Sequence, residues 1–304
     1  MSLDADSGKV SIITATYNRS RVLAYTVRSV LHQSHGKWEH LIIGDACTDD
    51  TATVVSAFAD SRITFLNLAR RCGEQSGPNN EGVARATGDY VAFLNHDDLW
   101  FPDHLETCVR ALREDEADIV FTLYLSIRPD GQHVLGGVCP TRAYRPHVFV
   151  PASTWLMRRA TALDVGPWRM SSKCFNVPSQ EWLFRAWKQG LRVRLVPHLT
   201  VLAVQAGRRP QAYRNQDASE HEVLWQRMTE EHEARVHMLA EASLGLVAAL
   251  QEAPIWKHWL RPFRILGWRA AEACGVHPAS VRNGLLYGGR GGFVRHLHRR
   301  RGSE

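Results

Sequence analysis

The sequence predicts an α/β fold in which helices flank a mostly parallel, doubly wound sheet. Three observations support this prediction: apolar β-branched runs recur in the first half of the chain, amphipathic helical segments separate them, and polar loops follow them. This alternation is typical of a parallel sheet, because each strand needs a crossover helix before the next strand can lie beside it. Ligands bind beyond the carboxyl ends of such strands, so the polar loops are the candidate functional segments.

Four apolar runs in the first third of the chain predict strands that end in polar loops. These strands are residues 9–15, 41–43, 62–68 and 90–94. Helices are expected after the first three strands. Ser20 and Thr48 are placed to cap two of them, and the third, over residues 78–87, ends before Gly88.

The remainder of the chain has strands and helices at less regular spacing. The predicted elements are a helix over 103–114, a strand over 119–127, a helix over 179–189, a strand pair within 192–204 and a long helix over 219–252. A polar loop at 206–217 precedes the long helix. We therefore expect a main domain over residues 1–218 and a helical, basic C-terminal extension over residues 219–304.

Composition excludes several classes of protein. The 304 residues are 44% hydrophobic and 22% charged, and no apolar run approaches the roughly 18 residues of a membrane-spanning helix. The six cysteines form no C-x-x-C pair, so we expect free thiols. The net charge of +6 arises after Ile255, where ten Lys and Arg residues accompany two acids. We expect a cytoplasmic protein and no nucleic-acid partner.

Four motifs occur in a fixed order along the predicted strand ends. They lie within residues 10–19, 43–51, 76–94 and 95–102, and the last contains Asn-His-Asp-Asp. Together they resemble the family 2 glycosyltransferases of the GT-A fold, which transfer a sugar from a nucleotide-diphosphate sugar. The resemblance divides the main domain into a nucleotide-binding half, residues 9–105, and an acceptor-binding half, residues 106–218.

The resemblance implies a donor site at the strand ends. Asp45 falls on the carboxylate that binds the base in this family, and Tyr17 lies beside the base. Asn95 replaces the first acid of the family's Asp-x-Asp-Asp motif, which leaves Asp97 as the candidate metal ligand with Asp98 beside it. The predicted nucleotide-sugar-binding residues are Ala15, Tyr17, Asp45, Arg71, Asn80, Asn95, His96 and Asp97.

The expected cofactor is Mn²⁺ or Mg²⁺ at Asp97 and Asp98, because a hard cation with oxygen ligands neutralises a departing diphosphate. The predicted catalytic base is Glu181, where the family commonly has Glu-Asp before a tryptophan at a helix start. A carboxylate base there implies a single in-line displacement with inversion at the anomeric carbon. The alternative for Glu181 is an acid in the first helical turn, stabilised by the helix dipole.

The resemblance also implies the partners. We expect a UDP-sugar donor and a glycan or lipid-linked acceptor, in bacterial polysaccharide or glycoconjugate biosynthesis. Aromatic and basic residues alternate after Ile255, which favours peripheral binding to an anionic membrane at its inner face. Packing of these aromatic residues on the main domain is the alternative. Arginines in loop 206–215 are suited to closing over a diphosphate, or else this loop is simply solvated.

Two other functions stay open at this point. A nucleotidyltransferase shares the sheet and the metal but carries a glycine-rich basic loop near the first strand, which residues 14–20 do not resemble. A degenerate, non-catalytic transferase domain that binds a glycan or nucleotide is compatible with Asn95 in place of an acid. Donor hydrolysis on addition of Mn²⁺ distinguishes an enzyme from such a binding protein.

Overall fold

The computed structural model describes residues 8–204, 217–251 and 260–301, which fold around a sheet of nine strands. The spatial order of the strands is β3-β2-β1-β4-β8-β6-β9-β5, and β7 pairs with β6. Their bounds are β1 Val10–Thr16, β2 Trp38–Gly44, β3 Ile63–Asn67, β4 Tyr90–Phe93, β5 Asp98–Trp100, β6 Ile119–Ile127, β7 His133–Gly136, β8 Trp155–Arg158 and β9 Val193–Val204. The predicted α/β fold class is therefore confirmed.

Helices cover the sheet and extend beyond it. Within the described ranges they are α1 Ser20–Leu31, α2 Thr51–Ser56, α3 Ser76–Arg85, α4 His104–Glu114, α5 Arg159–Val165, α6 Pro178–Lys188, α7 Ser219–Glu230, α8 Ala234–Gln251, α9 Arg261–Ala273, α10 Pro278–Tyr287 and α11 Gly292–Arg301. Helix α1 shows why the apolar spacing predicts them: Val22, Leu23, Val27 and Val30 form one face and are fully buried.

The first four strands form the parallel half of the sheet. Strand β1 pairs in parallel with β2 and β4, and β2 pairs in parallel with β3. Val10, Ile12 and Ile13 of β1 are fully buried, as expected for a central strand covered on both faces. Because these strands run in the same direction, the loops after β1, β2 and β4 meet at one edge of the sheet.

The second half of the sheet is mixed. Strand β8 lies antiparallel between β4 and β6, whereas β6 and β9 pair in parallel. The predicted strand pair within residues 192–204 is wrong, because β9 is one continuous strand whose pairing with β6 shifts register near Thr122 and Leu123. The short strands β5, β7 and β8 were not evident in the sequence, since none is longer than four residues.

The predicted long helix over residues 219–252 is two helices, α7 and α8. Glu233 between them has a φ of 58°, a left-handed conformation that a continuous helix excludes. Leu224 of α7 and Met238 of α8 are buried in a cluster with Leu99 and Leu202 of the sheet. The first helices of the predicted extension therefore share a core with the main domain.

Several sequence predictions concern residues outside the described ranges. These are the loop at 206–215 and the start of the basic tail, with Trp256, Lys257 and Trp259. No helix within the described ranges is long and apolar enough to cross a lipid bilayer. All six cysteines are described, and each is a free thiol as predicted.

Candidate active site

A cavity of about 600 Å³ opens where β1, β2 and β4 end. Its lining comes from two parts of the chain. The N-terminal wall, defined as the cavity residues from Ala15 to Asp98, consists of strand-end loops and the segment that leads into α3. The C-terminal wall, defined as the cavity residues from Tyr124 onward, includes parts of β6, β7, β9, α6, α10 and α11.

Tyr17 and Arg71 form a stacked pair in the N-terminal wall. The guanidinium carbon of Arg71 lies 4.0 Å from the centroid of the Tyr17 ring. The neighbouring Asn18 has a φ of 47°, and its side-chain oxygen accepts a hydrogen bond from the Thr48 amide at 2.8 Å. This bond ties the loop after β1 to the loop after β2. Tyr17 therefore has a fixed position beside a cation, which suits an aromatic base followed by a phosphate.

Asp45 follows β2 and is buried in the same wall. Its two carboxylate oxygens accept hydrogen bonds from the backbone amides of Cys72, at 2.6 Å, and Gly73, at 2.7 Å. Gly73 has a φ of +78°, a conformation that glycine adopts readily. Asp45 thus holds the loop that carries Arg71. Each oxygen has a second lone pair, so the carboxylate still has acceptor capacity for a ligand.

Asp98 is buried, and both of its carboxylate oxygens accept hydrogen bonds from within the chain. One oxygen accepts the Val204 amide at 3.0 Å, and the other accepts the Asn95 side-chain amide at 2.8 Å and the Ser153 hydroxyl at 2.5 Å. Burial, together with the neighbouring Asp97 carboxylate, raises the pKa of Asp98 above its ordinary value. A metal ion at Asp98 would have to compete with these donors. Its metal role stays a prediction, and the geometry favours a structural one.

Asp97 has different surroundings. It lines the cavity, and no hydrogen bond from a described residue reaches its carboxylate, although its backbone oxygen accepts one from His221 Nε2 at 3.0 Å. Among the described residues, no cluster of three or more His, Cys, Asp or Glu side chains is suited to a metal ion. A cation at Asp97 would therefore need most of its ligands from the substrate and water.

The other residues of this loop also line the cavity. Asn95 and His96 are both in the lining, and His96 Nδ1 lies 3.2 Å from the backbone oxygen of Ala15. Ala15 itself lines the cavity at the end of β1. Seven of the eight predicted nucleotide-sugar-binding residues thus share one cavity. The exception is Asn80, whose side chain bonds to the backbone amide and carbonyl of Trp168 at 2.8 and 3.0 Å.

Glu181 lies in the first turn of α6 but is not among the cavity residues. One oxygen accepts a hydrogen bond from Arg169 at 3.0 Å, and the other lies 3.6 Å from an Arg185 nitrogen. The residues of α6 that do line the cavity are Pro178 and Ser179, in its first turn. The base assignment therefore stays a prediction, and the contacts of Glu181 fit its alternative, a structural first-turn acid.

Sequence patterns did not identify three features of the cavity. Glu74 lines it and accepts the Ser171 amide at 2.9 Å to each oxygen, and burial raises the pKa of Glu74. Arg282 and His298 reach the cavity from α10 and α11, far along the chain. The only sequence signal for these two residues was the basic composition of the tail, which does not specify a contact with the sheet.

Comparisons with known proteins show which proteins this chain resembles. Residues 11–137 match the family model described as glycosyl transferase family 2. Over 124 residues the chain is 38% identical to TuaG of Bacillus subtilis (strain 168), which carries the name of a teichuronic acid biosynthesis glycosyltransferase. Over 119 residues it is 32% identical to WfgD of Escherichia coli, a UDP-Glc:α-D-GlcNAc-diphosphoundecaprenol β-1,3-glucosyltransferase. These matches cover 40% and 39% of this chain, and the chain spans about half the length of each relative, 49% and 47%.

Solved structures share the fold at low sequence identity. Residues 1–349 of Staphylococcus aureus TarS, in complex with UDP-GlcNAc, match with a TM-score of 0.57 at 16% identity, covering 81% of this chain and 73% of that one. The mannosyltransferase PcManGT of Pyrobaculum calidifontis, with GDP-Man and Mn²⁺, matches with a TM-score of 0.55 at 18% identity, covering 92% and 87%. Residues 11–137 therefore belong to glycosyl transferase family 2, in a chain that has the GT-A fold.

Proposed function

We propose that this chain is a glycosyltransferase that moves a sugar from a UDP-sugar to an acceptor hydroxyl. One observation carries the proposal: Tyr17, Asp45, Arg71 and Asp97 line a single cavity. Each brings a different chemistry that a nucleotide-diphosphate sugar requires, namely an aromatic face, a hydrogen-bond acceptor, a fixed positive charge and an anionic oxygen ligand. The resemblance to family 2 and the relatives' names support this assignment.

The base and the diphosphate occupy the N-terminal wall in this proposal. The Tyr17 ring provides a face for the base, and the Asp45 carboxylate accepts a hydrogen bond from a base N–H group. Arg71, stacked on Tyr17, supplies a charge for the phosphate. UDP is the preferred nucleotide because WfgD is named for UDP-Glc and TarS was solved with UDP-GlcNAc.

We propose a divalent cation, Mn²⁺ or Mg²⁺, at Asp97. The residues present fit such an ion, because the Asp97 carboxylate faces the cavity without a hydrogen bond from a described residue. The ion would neutralise charge on the leaving diphosphate. Asn95 and Ser153 hold Asp98, and Asp98 in turn holds the end of β9 through Val204. These bonds fix the loop that presents Asp97.

The proposal for donor binding does not depend on Glu181. For Glu181 to act as the base, its hydrogen bond with Arg169 would have to open when the acceptor binds, and Arg169 is half exposed. The structural alternative needs no rearrangement. Inversion at the anomeric carbon follows from a carboxylate base, so it is tested separately by the anomeric configuration of the product, measured by NMR.

Calorimetric titration of the full chain with UDP, GDP and dTDP, with and without Mn²⁺, tests the donor site. We expect UDP to bind most tightly and Mn²⁺ to strengthen binding. Asp97→Asn should remove the Mn²⁺ effect, whereas Asp50→Asn, an exposed acid outside the cavity, should not. Absence of nucleotide binding by the native chain would refute the proposal. Binding without donor hydrolysis or transfer would instead support the non-catalytic alternative.

We also propose a lipid-linked acceptor and contact with an anionic membrane. Helix α9 has exposed Phe263 and Leu266, and Arg264 of the same helix lies 5.1 Å from the Trp268 ring. Trp268 also stacks on His147 of the main domain, with ring centroids 4.6 Å apart. This aromatic residue therefore packs on the main domain and is not available to a membrane. Membrane contact is therefore proposed for the exposed residues only.

Liposome co-sedimentation tests the membrane proposal. We expect the full chain to be recovered with anionic vesicles more than with neutral ones, because apolar and basic groups share this segment. Phe263→Ser combined with Leu266→Ser should reduce recovery without changing UDP affinity. Equal recovery on both vesicle types would contradict electrostatic docking.

A further inference from the structure

The two walls of the cavity differ in charge. All four cavity carboxylates, those of Asp45, Glu74, Asp97 and Asp98, belong to the N-terminal wall. The C-terminal wall has no carboxylate among its cavity residues, and its basic side chains are Arg128, which follows β6, Arg282 of α10 and His298 of α11. The N-terminal wall balances its carboxylates with Arg71 and His96. A donor and its cation account for Asp45 and Asp97, whereas Asp98 and Glu74 accept hydrogen bonds from within the chain. Neither the donor nor these bonds account for the basic residues that follow β6 or lie on α10 and α11.

The C-terminal wall is also apolar next to its basic residues. Phe149, Phe293, Val294 and Leu297 also line the C-terminal wall, and Val294 is buried. Basic side chains beside apolar ones suit an amphiphilic ligand that has an anionic group and a hydrocarbon segment. A sugar nucleotide has no hydrophobic segment for such a surface. The chemistry of this wall therefore differs from that of the donor.

Specific contacts hold α10 and α11 against the main domain. Asn283 is buried and donates a hydrogen bond to the Phe175 carbonyl at 3.1 Å, and the Gly291 amide donates to the Cys174 carbonyl at 2.8 Å. Gly291 has a φ of +77°, and a Cβ there would lie 3.2 Å from Ser172 Cα. The helices are thus anchored on the segment that leads into α6, which positions Arg282 and His298.

Helix α10 connects the cavity to an exposed apolar surface. Arg282 lines the cavity, whereas Leu285 and Leu286 on the next turn are 83% and 66% exposed. An acceptor whose phosphate lies at Arg282 would have an apolar helix surface within one turn for its hydrocarbon chain. Exposed leucines on that scale favour a hydrophobic contact.

We propose that the C-terminal wall is the acceptor subsite, in which Arg282 and His298 bind the phosphate of an amphiphilic, lipid-linked acceptor. This inference rests on the proposed glycosyltransferase function and adds a residue-level location for its acceptor. The acceptor phosphate and the donor diphosphate are then bound by different walls. The acceptor sugar lies between them, facing the donor.

Calorimetric titration of the full chain with farnesyl diphosphate tests this subsite, with UDP and Mn²⁺ present in saturating amounts to occupy the donor site. We expect Arg282→Gln to weaken farnesyl diphosphate binding about tenfold or more, the effect of losing one charge-assisted hydrogen bond. Arg282→Lys should retain most of the affinity because it keeps the charge. Arg299→Gln is the matched control, since Arg299 follows His298 on α11 but does not line the cavity.

Two further ligands separate the possible sources of the phosphate. Inorganic pyrophosphate should bind at least tenfold more weakly than farnesyl diphosphate if the subsite recognises an amphiphile, and farnesol should also bind weakly. Equal affinity of pyrophosphate and farnesyl diphosphate would overturn the amphiphilic acceptor. Unchanged farnesyl diphosphate affinity in Arg282→Gln would overturn the subsite while leaving UDP binding, and hence the proposed function, intact. Failure of the native chain to bind UDP would overturn both.

Discussion

The two walls of the cavity are built in different ways. The N-terminal wall consists of loops at the ends of β1, β2 and β4, so each residue is placed by the strand directly before it. The C-terminal wall combines strands from the mixed half of the sheet with helices α10 and α11, which are placed by contacts with residues 172–175. All four cavity carboxylates belong to the first wall, together with Arg71 and His96, whereas the second has basic and apolar side chains and no carboxylate among its cavity residues.

This difference bears on how each wall responds to substitution. In the N-terminal wall a ligand-facing residue such as Asp97 has a hydrogen-bonded neighbour, Asp98, that supports it. Substitution of Asp97 should therefore lower turnover with little change in stability, and substitution of Asp98 should lower stability. In the C-terminal half, Glu181 lies outside the cavity. A strong loss of turnover on its replacement would mean that Glu181 contributes to catalysis from the C-terminal wall after all.

The largest effect is expected from Asp97→Asn, which tests whether the N-terminal wall holds the diphosphate through a cation. Loss of the anionic oxygen should cost several kcal/mol of transition-state stabilisation, or about a thousandfold in turnover. The unfolding free energy should change little, because no described residue donates a hydrogen bond to this carboxylate. Donor turnover over a Mn²⁺ titration measures the effect, and Asp50→Asn serves as the control. Native turnover in the Asp97 variant would remove the metal assignment.

The next largest effect is expected from Asp98→Asn, and it should fall on stability. The new amide group must face at least one of the donors from Val204 and Asn95, so a buried hydrogen bond is lost. The unfolding free energy should fall by about 1 to 3 kcal/mol. Urea denaturation measures this change. If Asp98→Asn instead matched Asp97→Asn in turnover and remained as stable as the native chain, Asp98 would be a ligand after all.

Glu181→Gln should have a smaller effect, a loss of about 1 kcal/mol in unfolding free energy, because the pair with Arg185 is partly buried and that with Arg169 is not. We expect turnover to stay above about a tenth of native, whereas a general base would contribute about 10² to 10⁴-fold. Glu81→Gln is the matched control, since Glu81 pairs with Arg85 at the same helical spacing. A turnover loss beyond a hundredfold with unchanged stability would make Glu181 the base.

No effect on turnover is expected far from both walls, at Glu39, where the structure instead predicts a dependence of stability on pH. Burial opposes its ionisation, but hydrogen bonds from Lys9, Ser11 and Thr87 lower the pKa of Glu39 from 4.5 to about 2. A lowered pKa stabilises the fold above pH 4.5, and this contribution is lost as the pH falls towards 2. Thermal unfolding between pH 5 and 2 should therefore show a shallower decline in Glu39→Gln. Parallel curves for both proteins would refute this assignment.

Local sequence was sufficient to predict most of the N-terminal wall. Strands β1 and β6 agree with their predicted bounds to within one residue, because their apolar runs match the geometry of a buried strand. Tyr17, Asp45 and the other strand-end residues come together because parallel strands deliver their carboxyl ends to one edge. The position of a motif directly after such a strand therefore predicts that its side chains lie at this edge of the sheet.

Only the tertiary structure decided three matters. Asp97 and Asp98 are adjacent in sequence, but Ser153 and Val204, which occupy the carboxylate of Asp98, are distant. Glu181 stands at the predicted helix start, yet its orientation towards Arg169 depends on how the preceding segment packs. Arg282 reaches the cavity through the bond between Asn283 and Phe175.

The sequence by itself determined the fold class, the family of residues 11–137 and the residues that follow the parallel strands, because these depend on local spacing and chain direction. The tertiary structure decided which of those side chains face the cavity and what forms its second wall. Hydrogen bonds between residues far apart in the chain select one orientation for each polar group, and no local pattern encodes that choice.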